Sequence, residues 1–150
     1  MVATRFAVAT HILLLLAHAE RRRAVPGNVV APVTSTRLAN SIHTNPVVVR
    51  RITGKLARAG LIRVHRGPGG AELARPPAEI TLDDVWRAVH GEPAPPLVPL
   101  HARQPARRPE AVSVHDLLAE SFGRAERSFR QALRQTTLEE LVERLAVERA

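Results

Sequence analysis

The chain has 150 residues, 45% of them hydrophobic, enough to bury the core of about one domain with an appendage. It contains no cysteine, which excludes disulfides, thiol catalysis, thiolate-held zinc and all-cysteine iron-sulfur clusters. Its formal charge of +8 is segregated: residues 1–75 hold twelve Arg/Lys against two acids and residues 76–150 ten against twelve, which directs the first half at a polyanion and leaves the second for another task.

Residues 4–18 place Phe6, Ala9, Leu13 and Leu16 at helical spacing, with enough further apolar residues to bury more than one face. The run has the look of a signal-peptide core. However, His11 interrupts it, Arg21-Arg22-Arg23 follow rather than precede it, and it is too short to cross a membrane. A buried helix in a cytoplasmic protein without membrane association is expected. Residues 20–34, with the three arginines, Pro26-Gly27 and Pro32, read as a loop.

From Ser35 a helix with Leu38, Ala39 and Ile42 on one side stops at His43-Thr44-Asn45-Pro46. Thr44 or Asn45 can cap the next helix, and Pro46 fits its first turn, where no N–H is needed. That helix runs to about Ala59 with Val49, Ile52 and Leu56 inward, and Gly60 ends it. Residues 61–66 and 71–75 are β-prone around Gly67-Pro68-Gly69-Gly70, predicting a hairpin with a type II turn at Pro68-Gly69.

Thr81-Leu82-Asp83-Asp84 has the form of a capping box opening a helix through Val85, Trp86 and Val89 to Gly91. Capping accounts for both aspartates. A proline-rich connection follows, including Pro93, Pro105 and Pro109. Ser113 then caps a long helix whose stripe of Val114, Leu118, Phe122, Ala125, Phe129 and Leu133 calls for a partner surface, most economically a second copy. Thr137-Leu138-Glu139-Glu140 caps a last short helix. The expected domains are 1–91, 92–111 for the connection, and 112–150 for the dimerisation and C-terminal helices.

Helix, turn, helix and hairpin in this order predict a mainly α fold with a small β-hairpin wing: a winged helix-turn-helix plus a long dimerisation helix. With Val49, Ile52 and Leu56 inward, Asn45, Val47, Arg50, Arg51 and Lys55 are left toward solvent, joined by Arg63, His65 and Arg66 of the hairpin. Arg50 and Arg51 are candidate base readers, since guanidinium forks onto guanine, and Lys55 a candidate phosphate contact. Thr44 and Asn45 can fix a phosphate at the helix N-terminus. The full candidate DNA-binding set is Arg5, Arg37, Thr44, Asn45, Pro46, Val47, Arg50, Arg51, Lys55, His65, Arg66 and Gly67. The seven histidines form no HxxxH or HExxH pair and no nucleophile-base pair is evident, so neither a metal site nor an enzyme is expected.

The chain resembles the Rrf2 family of bacterial regulators, to which IscR-, NsrR- and CymR-type proteins belong. The likeness rests on Arg5-Phe6-Ala7-Val8-Ala9, on Thr44 to Ile52, on Leu56 to Leu61 with Arg66-Gly67-Pro68-Gly69-Gly70, and on Leu73-Ala74-Arg75-Pro76 with Ile80-Thr81-Leu82. It implies a homodimer crossed through the long helix, operator DNA held by two winged domains, and usually repression. Sensing members place three cysteines before the long helix to bind an iron-sulfur cluster. Residues 92–110 here have none, so the chain looks closer to the clusterless, YwnA-like branch, with no cofactor expected and the effector left open. Glu72, where the family often has an aromatic, sets a negative charge in the wing. Two other functions stay open: a non-specific nucleic-acid or nucleoid-binding protein, and a protein-interaction module using the long helix.

Overall fold

The chain opens with a 23-residue helix, α1 (Val2–Ala24), in a computed structural model that describes residues 2–103 and 113–147. Ala9, Ile12, Leu13, Leu16 and Ala17 are at most 1% exposed, because α1 is packed by most of the other elements and so forms the central element of the core. It runs further than expected, taking residues 20–24 out of the anticipated loop. Two side chains hold this extra stretch: Glu20 accepts a hydrogen bond from the Leu73 N–H at 2.9 Å, and Arg21 pairs with Glu139 at 2.5 Å. Cations in the last turn also suit the negative end of the helix dipole.

The helix-turn-helix forms as read. Thr34 caps α2 (Ser35–Ile42), accepting from the Arg37 N–H, and Asn45 caps α3 (Pro46–Arg58), its Oδ1 accepting from the Val47 N–H at 2.8 Å. Between them His43 takes the left-handed conformation, φ 57°, and the Thr44 N–H closes onto the Ala39 carbonyl. Val49, Ile52, Thr53 and Leu56 of α3 are buried against α1 and α2.

Strands β1 (Ile62–Val64) and β2 (Ala71–Leu73) pair antiparallel, Arg63 opposite Glu72. The anticipated type II turn does not form. Gly67–Gly69 makes a single 3₁₀ turn, and positive φ falls on Gly67 and Gly70 instead of Gly69. The cause is tertiary: the Ala71 N–H donates to the Val33 carbonyl at 2.9 Å, and a Cβ at Gly70 would lie 2.6 Å from that same oxygen. The wing is thus tied to the loop before α2, and the tip must bend to meet it.

Helix α4 (Leu82–His90) carries the expected reciprocal capping box between Thr81 and Asp84. Asp83 departs from its expected role. Only 3% exposed, it is paired with Arg130 and Arg134 of α5 (Val114–Gln135), so it joins two helices rather than merely favouring the start of one. Burial pushes the Asp83 carboxyl up, but its two arginines outweigh this and hold it below its ordinary value.

Phe6, Trp86 and Phe129 pack edge to face across α1, α4 and α5. The last helix, α6 (Leu138–Val147), buries Leu138 and Val142 in the same core as α1, and the Leu138 N–H donates to the Ile80 carbonyl at 2.8 Å. The last helix of the expected 112–150 segment thus packs against α1. Residues 91–103 contain no helix or strand; the remainder of the expected connection, with Pro105 and Pro109, lies outside the described residues.

Candidate nucleic-acid interface

Helix α3 contains three arginines, one lysine and no acid. Arg50, Arg51 and Arg58 are exposed, and none has an ion-pair partner among the described residues. Arg50 shares a cleft of about 160 Å³ with His65 and Gly67 of the wing and with Thr34 and Ser35 at the start of α2. Two helices and the hairpin therefore converge on one concavity that holds the Arg50 guanidinium and has a helix N-terminus on its wall, which suits an anion. Thr44, Asn45 and Val47 line up at the N-terminal end of α3, with Asn45 and Val47 exposed and Pro46 and Thr44 half-buried. The role of Asn45 as cap occupies its Oδ1 and leaves its amide free to donate outward.

The wing is partly self-neutralised. Glu72 lies 3.7 Å from Arg63 and 3.3 Å from His65, leaving Arg66 at the tip as its exposed cation without such a partner among the described residues. Lys55, the expected phosphate contact, is half-buried and has one of its three N–H donors engaged within the fold. Its Nζ donates to the Val89 carbonyl at 2.8 Å, in the last turn of α4, where the helix dipole draws a cation. It is a strut between α3 and α4.

Arg37 is exposed but directs its guanidinium to the Ala31 carbonyl at 2.7 Å, and it lines a second cleft, between α1 and α2, with Arg22. Arg5 is exposed at the other end of α1 from Glu20, to which β2 is tied, a separation of about 22 Å along the helix. The structure thus gathers Arg50, His65 and Gly67 into one cleft, leaves Arg51 exposed on α3, and sets Arg5 and Arg37 apart. Sequence reasoning passed over Arg58, although it lies two turns beyond Arg51, and Thr34 and Ser35, whose capping signal was present but whose meeting with the wing was not.

A family model described as an iron-dependent transcriptional regulator, Rrf2, matches residues 2–144. The chain belongs to the Rrf2 family. It is 31% identical over 145 residues to YwnA of Bacillus subtilis (strain 168), provisionally named an HTH-type transcriptional regulator, covering 97% of this chain and 99% of that one. A solved transcriptional-regulator structure from Lactobacillus plantarum superposes with a TM-score of 0.71 at 27% identity, covering 95% of this chain and 89% of that one. CymR of Staphylococcus aureus shares the fold, with a TM-score of 0.64 at 21% identity over 93% of this chain and 96% of that one. The chain is accordingly a transcriptional regulator of winged helix-turn-helix fold, and its relatives are not enzymes.

The iron in the family description meets no matching donor set among the described residues of this Rrf2 chain. It has no cysteine, and no group of three or more His, Cys, Asp or Glu among the described residues is arranged to hold a metal. No helix among them is long and apolar enough to cross a membrane.

Proposed function

We propose that this protein is a homodimeric, cytoplasmic repressor that binds operator DNA sequence-specifically and works without a cysteine-ligated cluster. The observation that carries the reading is the acid-free α3 with Arg50, Arg51 and Arg58 exposed and Arg50 lining the wing cleft. In such a frame α3 enters the major groove, Arg50 and Arg51 fork onto guanine, and Thr34, Ser35, Asn45 and Arg66 meet the flanking phosphates. The dimer is supported by α5. Phe129 and Leu133 of its stripe are taken up within the protomer, whereas Val114 and Leu117 stand 68% and 53% exposed and Leu118, Phe122 and Ala125 continue that open end. A second α5 covers this patch.

Footprinting on the DNA upstream of the gene, with affinity followed against salt, tests the reading. A protected near-palindrome is expected, with affinity falling roughly a thousandfold between 50 and 200 mM salt if about six phosphates are neutralised. Arg51→Ala relaxes the sequence preference. Uniform binding to any duplex, unchanged by Arg51→Ala, would instead favour a nucleoid-type protein.

A further inference from the structure

The burial of Val49, Ile52, Thr53 and Leu56 determines which residues of α3 stand farthest from the core. At about 100° per residue they are Val47, Arg51, Gly54 and Arg58, one ridge along the outer face. Two of the four are odd choices for a solvated helix. Val47 leaves an aliphatic side chain 53% exposed, and Gly54 places the poorest helix former after proline in the middle of the element.

Among the described residues, no contact calls for glycine at this position. A Cβ at Gly54 would meet only Arg58 Nη1, at 3.8 Å, an ordinary contact, and its φ is not positive. A missing side chain on the outer face of a helix leaves room for something to approach the helix closely. Gly54 lies about 10 Å along the axis from Val47, near the roughly 12 Å width of a major groove. With Val47 over base edges, the sugar-phosphate wall passes at Gly54, and Arg58 stands just beyond it.

We propose that Gly54 is a notch that admits the groove wall and so seats the ridge, and that Val47 reads a thymine C5-methyl adjacent to the guanine held by Arg51. The methyl is the one apolar mark in the major groove, and an exposed valine is a suitable surface for it. A methyl added at residue 54 would hold Val47 and Arg51 off their bases. This assignment rests on the DNA-binding reading above and gives that reading an operator composition.

The test begins by selecting duplexes from a random pool with the full chain, then replacing each thymine of the selected site by deoxyuridine, which lacks only the methyl. Uracil at one position per half-site should weaken the wild type roughly three- to fivefold, and Val47→Ala should bind both duplexes alike. Gly54→Ala should melt about 3 °C higher yet bind at least about tenfold more weakly, opposite signs that a purely structural glycine would not give. Absence of any uracil-sensitive position, retention of that sensitivity in Val47→Ala, or full affinity in Gly54→Ala overturns the proposal. Failure to enrich any sequence would overturn the operator-binding reading itself.

Discussion

His43 occupies φ 57°, ψ 49°, a conformation in which a Cβ crowds the neighbouring carbonyl. The tight turn between α2 and α3 needs this residue left-handed, since the Thr44 N–H reaches back to Ala39 from there. His43→Gly should therefore stabilise the protein by about 1 kcal/mol, read as a higher urea midpoint with an unchanged slope. Lys55 gives a second test at this scale. Lys55→Met leaves the Val89 carbonyl without its donor, and a loss of about 1 to 2 kcal/mol is expected. Because its ammonium is engaged within the fold, the salt dependence of DNA binding should stay as in the wild type; a shallower slope would identify it as a phosphate contact. Period and residue type place Lys55 on α3 from sequence, but the reach of its side chain to α4 depends on how the two helices cross.

Among the elements, α4 and α5 are joined by the Trp86–Phe129 packing and by the ion pairs of one carboxylate, Asp83. Asp83→Asn leaves Arg130 and Arg134 facing a neutral, buried partner, and unfolding measurements should show a loss of about 3 kcal/mol. The native carboxyl lies below its ordinary value of 3.8. Its stabilisation is thus fully present above the unfolded value and is lost as pH falls through the native one, when the folded state too takes up the proton. Stability measured from pH 5 downward should fall less steeply in Asp83→Asn than in the wild type. Adjacent acids at Asp83-Asp84 were readable as a helix start, and Asp84 fills that role. A partner 47 residues away left no local trace.

At the scale of the molecule, the proposed dimer divides the stripe on α5 between two duties. Leu133 is 9% exposed and Phe129 packs on Trp86, so this end serves the protomer, while the end carrying Val114, Leu118 and Phe122 faces outward or is half-covered. Phe122→Glu should reduce the light-scattering mass from a dimer to 16.4 kDa while the thermal transition survives. Leu133→Ala should instead destabilise the fold by about 3 kcal/mol and leave the folded fraction dimeric. A Phe122→Glu protein that remains dimeric would place the interface elsewhere.

Local chemistry was enough to determine the order of elements, a cap at Thr44 or Asn45, the Thr81 cap and the cationic face of α3, because periodicity, capping and turn preference act within a few residues. The segregation of charge likewise pointed to a polyanion before any coordinates. Only the tertiary structure decided that Arg21 continues α1, that the wing tip bends to meet Val33, that Lys55 is a strut, and that Asp83 joins α4 to α5. Each of these depends on a partner distant in sequence, and such a partner is chosen by how the helices pack around α1 rather than by the residues alongside it.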